Sequence, residues 1–222
     1  MPDLVNVLAI RDLPLPQKLA AGYARGTIRD QVVSLFHLDY RLSQIVSGRS
    51  EELLAQMKLA WWREQLRTRP ENRPSGDQVL DAITRQWSGQ EEALIALVDG
   101  WEHLLAASPL PEWSATGFAN GRSKGWGELA RSIGADALSA ERAARRWALM
   151  DLASHLSDQD EASMVLSLAQ GEGTQSVRLP RLMRSLSVLD GLARRALLKG
   201  EKHLLESRTA FLVTMRLGLI GR

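Results

Sequence analysis

Apolar residues return every third or fourth position along almost the whole chain, and the strict alternation of a half-buried strand is almost absent. That spacing lines apolar side chains along one face of a helix, so the chain is predicted to be all-α. Glycine and proline cut the pattern into segments. The first begins at Pro16, a residue suited to the first helical position, and ends before Gly26. The second runs from about Thr27 to Val46, with Thr27 as cap and Asp30 near the positive helix end, and the third from Ser50 to about Thr68. The stretch Pro70-Glu-Asn-Arg-Pro-Ser-Gly76 cannot extend a helix. Asp77 caps the next helix, which Gly89 closes. Further helices are predicted over 90–107, 114–133, 139–155 with Ser139 as cap, 161–169, 180–198 and 201–219, the last two hinged at Gly200. Nine or ten helices without a fixed period exclude a solenoid. No linker is long enough to separate independent domains, so residues 1–222 are expected to form a single helical bundle.

With 45% hydrophobic and 24% charged residues, 222 residues can bury a substantial core, which excludes a disordered chain. The absence of cysteine rules out disulfides, thiolate zinc sites, iron–sulfur clusters and a cysteine nucleophile. No stretch approaches the roughly 20 apolar residues of a membrane span, and the start does not read as a signal peptide. A cytoplasmic location is expected, with a membrane-peripheral one as the alternative. Basic residues outnumber acidic ones only after residue 171. The 178–222 region, with Arg178, Arg181, Arg184, Arg194, Arg195, Lys199 and Lys202, therefore either faces an anionic membrane surface or simply presents solvated helix faces. It lacks the interleaved aromatics of a single-strand reader, so no nucleic acid is expected. Walker loops, dinucleotide fingerprints and nucleophile elbows are missing.

Four constellations interrupt this plain pattern. The stripe Ile28, Val32, Leu35, Leu42 and Val46 is broken by Asp39, and an unpaired carboxylate in a core is costly. Asp39 is expected to pair with a buried arginine, Arg63 being the first choice, or to line a polar cavity with Ser43 and Ser47 at the following turns. The adjacent Trp61 and Trp62 point about 100° apart, so burying both needs a helix packed on two sides and hence central. Gly117, Gly121 and Gly125 recur every four residues, which fits close helix packing, a ligand-facing wall or an irregular loop. Asp151 and His155 stand one turn apart, a spacing that two metal ligands can use, but without a third partner no metal site is expected.

The segments Arg29-Asp-Gln-Val-Val-Ser-Leu-Phe-His-Leu-Asp-Tyr-Arg-Leu-Ser-Gln-Ile-Val46 and Leu59-Ala-Trp-Trp-Arg-Glu-Gln-Leu66 resemble the opening of squalene/phytoene synthase-like proteins. The likeness extends through Leu97-Val-Asp-Gly-Trp-Glu-His-Leu104, Gly121 to Gly127 and Ala148 to Leu156. It implies an isoprenoid-synthase bundle whose active members join two prenyl diphosphates head to head, using two Asp-x-x-x-Asp motifs to hold magnesium. Here Ser43 and Ser47 fall at the first motif, and the second region reads Asp151-Leu-Ala-Ser-His155-Leu-Ser-Asp158-Gln-Asp160-Glu161 with no two aspartates four apart. Such erosion is similar to a divergent branch that includes a mitochondrial respiratory complex I assembly factor. The resemblance implies a non-catalytic binding or assembly role toward a protein partner or polyisoprenoid, with no cofactor. The alternative is an active isoprenoid-biosynthesis prenyltransferase with a rearranged magnesium site on Asp39, Asp151 and Asp158. A cavity lined by Phe36, Tyr40, Trp61, Phe118 and Met150 is expected between helices 27–46, 50–68, 114–133 and 139–155, and is expected to have shrunk.

Overall fold

The computed structural model describes residues 8–47, 52–106 and 108–205. Among them are nine α-helices and no strand: α1 Leu15–Ala21, α2 Arg29–Ser47, α3 Glu52–Arg67, α4 Gln78–Gln86, α5 Glu91–Glu102, α6 Glu112–Ser132, α7 Ala137–His155, α8 Gln159–Gly171 and α9 Arg184–Lys199. The all-α expectation holds, and the helices pack as one bundle. Two expected features, a start at Ser50 and a helix over 201–219, fall wholly or largely outside the described residues, while 201–205 are not helical.

Local chemistry explains several of the helix ends. Asp77 accepts from the Val79 and Leu80 amides and so starts α4 where expected. Helix α7 starts from Asp136, which accepts from the Leu138 amide, rather than from Ser139. Asp136 sits two residues past Gly134, whose positive φ of 68° closes α6, so the chain reaches a competent cap sooner than expected. Asp158 likewise caps α8 through the Asp160 and Glu161 amides. Thr27 is not a side-chain cap: it lies in a 3-10 turn, Gly26–Ile28, that leads into α2.

The long hairpin of α6 and α7 is the spine of the bundle. Helix α5 packs along α6, α8 and α9 pack on α7, and α2 crosses α4, α5 and α6. Close approach of α5 and α6 depends on glycine: a Cβ on Gly100 would lie 3.0 Å from the Gly121 Cα, and one on Gly121 would collide with the Ala96 carbonyl. Of the three readings of the glycine series, helix packing is the one observed: α6 is unbroken through it, and Gly117, Gly121 and Gly125 lie against His103, the α5 backbone and Leu35.

Helix α3 departs from expectation. It packs mainly on α5 and buries a single stripe of Ala55, Leu59, Trp62 and Leu66. Trp62 is buried, whereas Trp61 is 42% exposed and meets it edge to face. The tandem tryptophans therefore do not mark a helix packed on two sides, and α3 lies at the periphery. Among the described residues no helix is long and apolar enough to cross a membrane.

Candidate functional site

Four helices converge where α2 brings Asp39 inward. From α6 comes Arg122, 3% exposed and standing on the stripe Ala115, Phe118, Trp126 and Leu129. Its Nε lies 3.0 Å from each Asp39 oxygen and its Nη2 2.6 Å from Oδ2, a fork-on-carboxylate arrangement. Arg122 Nη1 donates to Asp151 Oδ2 on α7 at 2.6 Å. Trp101 on α5 donates its Nε1–H to Asp39 Oδ1 at 2.9 Å. The guanidinium carbon stands 3.9 Å from the ring centre of Trp147, with Phe118 and Trp101 at 5.4 and 5.6 Å. One cation thus ties α2, α6 and α7 together inside an aromatic box.

Burial lifts the Asp39 carboxyl above its ordinary range, while the Arg122 charge and the bonds from Arg122 and Trp101 pull it the other way. Burial alone would lower Arg122, but the Asp39 and Asp151 carboxylates outweigh it and hold the guanidinium above its usual value. Arg122 stays charged in the core.

The expected basic partner of Asp39 was Arg63, and this is corrected: Arg63 reaches away from the core to Asp99 Oδ1 at 2.7 Å and to Glu102. As α3 is peripheral, its arginine serves the α3–α5 seam. Ser43 and Ser47 are no cavity ladder either. Their hydroxyls bond back to the Tyr40 and Ser43 carbonyls of α2 at 2.7 and 2.6 Å, and Ser47 is exposed. Of the expected cavity residues, Phe36, Phe118 and Met150 are buried, Tyr40 is half-buried, and Trp61 points outward. Asp151 does join the central network, whereas Asp158 is spent on capping α8. His155 Nδ1 lies 2.7 Å from the Asp151 backbone oxygen, so the two side chains form no ligand pair.

The cavity left at this centre holds about 10 Å³, lined by Leu35, Phe36, Asp39, Leu97, Arg122, Trp126 and Trp147, which is room for a single water. Magnesium does not fit this donor set, because both inward carboxylates already face a guanidinium that a cation would have to displace. No group of three or more metal-ligating side chains converges among the described residues.

Two further polar clusters lie outside the residues that the sequence pattern singles out. Arg146, fully buried on α7, donates to Asp190 Oδ1 on α9 at 2.8 and 2.5 Å and to the Gly173 carbonyl. On the surface, a groove of about 260 Å³ lies between α3 and the start of α6, lined by Gln56, Asp99, Glu102, His103, Leu105 and Trp113. The basic C-terminal stretch is partly committed within the fold. Arg194 bonds the Thr174 carbonyl, Arg195 pairs with Glu201, and Lys202 bonds the Leu156 carbonyl.

No protein-family profile, no curated protein and no solved structure matches this chain.

Proposed function

We propose that this chain is a squalene/phytoene synthase-like bundle that has lost diphosphate chemistry and works by binding a protein partner. The observation that carries the reading is Arg122, whose guanidinium fills the bundle centre and occupies both inward aspartates. In an enzyme of that family paired aspartates serve a metal–diphosphate cluster, whereas here Ser43 and Ser47 stand at the first motif and the inward Asp39 and Asp151 serve Arg122. With about 10 Å³ left, the centre falls far short of the several hundred Å³ of an ordinary ligand pocket, which favours a protein partner over a polyisoprenoid occupant. A core closed by charge is a scaffold, and its outer faces are left to do the recognising. The anionic-membrane alternative loses weight because three of its basic side chains are bonded internally.

Native mass spectrometry of the protein purified from its own host tests the proposal. A reproducible stoichiometric protein partner without a bound isoprenoid is the expected result. A co-purifying isoprenoid at full occupancy, or release of pyrophosphate from farnesyl or geranylgeranyl diphosphate with magnesium, would overturn it.

A further inference from the structure

The central cavity is small but not apolar: Asp39, Arg122 and Trp147 stand in its wall. Trp147 is 1% exposed, and its buried Nε1 has no hydrogen-bond partner among the described residues. The buried Trp87 and Trp101 do spend the same group, on Ser34 and Asp39. An N–H taken out of water and left unmatched bears the whole of its desolvation cost. Arg122 adds to the surplus of donors. Of the five N–H groups of a guanidinium, Nε and one on each terminal nitrogen are used on Asp39 and Asp151, which leaves two. Asp39 has capacity to spare. A carboxylate accepts about four bonds, and its donors are Trp101 Nε1, Arg122 Nε and Arg122 Nη2.

We propose that this cavity is a binding site for one internal water, which accepts the Trp147 Nε1–H and a remaining Arg122 N–H and donates to Asp39. The volume of about 10 Å³ admits a single water and nothing larger. Charge and chemistry separate water from an ion. Two carboxylates against one guanidinium disfavour an anion, and a cation would meet the N–H groups of Arg122 and Trp147 head on. Water both accepts and donates, and so matches the unspent donors and the unspent acceptor together. The charged centre is then hydrogen-bonded throughout, with the water as its fourth polar member beside Asp39, Arg122 and Trp147. The site stands whether or not the protein-partner reading holds, since it depends on the core alone.

Nuclear magnetic resonance of the isotope-labelled full chain tests it without requiring any variant to fold. With the Trp147 Hε1 resonance assigned through bonds, its cross-peaks to water are expected to have opposite signs in laboratory-frame and rotating-frame Overhauser spectra, the mark of a water held inside a protein. The Trp113 Hε1, on a side chain 62% exposed, should show only the behaviour of fleeting surface hydration. Oxygen-17 relaxation dispersion of the same protein should detect at least one long-lived internal water. Absence of the Trp147 cross-peaks, or of any long-lived water, would overturn the proposal. So would an Hε1 shifted upfield by the Phe36 ring, whose centre lies 6.4 Å from that of Trp147, without a water contact, because the indole would then be spent on that ring.

Discussion

Replacing Arg122 by methionine keeps an aliphatic stem of similar length and deletes the guanidinium. Asp39 then loses three hydrogen bonds and keeps only the Trp101 indole, Asp151 loses its partner, and the Trp147 face loses its cation. Stranding one member of a buried pair costs about 3–5 kcal/mol, a third or more of the stability of an ordinary domain of modest stability. The loss should depend on pH in a set direction. Burial already lifts Asp39 above 3.8 with the guanidinium present, and without it the carboxyl is held neutral to higher pH still. A group whose folded value exceeds its unfolded one stabilises at low pH and loses that contribution as pH rises through the folded value. The deficit of Arg122→Met relative to wild type should therefore shrink between neutral pH and pH ~5. Asp39→Leu combined with Arg122→Met removes both charges, and Asp151, 13% exposed, can still reach water. The double variant is expected to be more stable than the sum of the single losses implies, with a coupling of ~2 kcal/mol or more. Urea unfolding followed by tryptophan fluorescence and circular dichroism measures all three. A loss under ~1 kcal/mol for Arg122→Met, or strict additivity in the cycle, would refute the view that this cation holds the core together.

Three more tests probe other regions of the fold. His37 is buried with an unbonded Nε2 and is held below 6.5, chiefly by burial with Arg41 adding to it and Asp12 opposing; the unfolded chain therefore takes up the proton first, stability should fall as pH drops below about 6.5, and His37→Leu should flatten that slope in pH-dependent melts. Gly121→Ala should destabilise by ~1–3 kcal/mol through collision with the α5 backbone, whereas Gly171→Ala, in open space at the end of α8, should be neutral or stabilising by up to ~1 kcal/mol in the same thermal assay. Asp190→Ala should cost ~3–5 kcal/mol by stranding Arg146, and hydrogen exchange should show faster opening of α9.

The all-helical architecture was legible because the apolar period needs no knowledge of neighbours, and Asp77, Gly89 and Gly200 act within a turn of their own position. Asp39 was legible as an inward carboxylate for the same reason. Its partner was not, because pairing depends on which helices meet and in what register, and nothing local to α2 specifies that. Arg122 carried the same signal as Asp39, a charge on the apolar stripe of Phe118 and Trp126, but the flanking glycines hide it by pointing to the backbone instead. Arg146 is masked in the same way among the alanines of α7. On α3, Leu53, Met57 and Trp61 have the periodicity of core residues, and only the tertiary arrangement separates a buried stripe from an exposed one.

The proposed function rests on a core closed by the Arg122 guanidinium, which pairs with Asp39 and Asp151 and leaves only about 10 Å³. Calorimetric titration of the full chain with geranylgeranyl thiodiphosphate and magnesium tests it most directly, with the emission of Trp126 and Trp147 beside the residual cavity as a second signal. A closed core predicts no saturable heat and unchanged emission. Stoichiometric binding at micromolar affinity, abolished by Asp39→Asn, would contradict it.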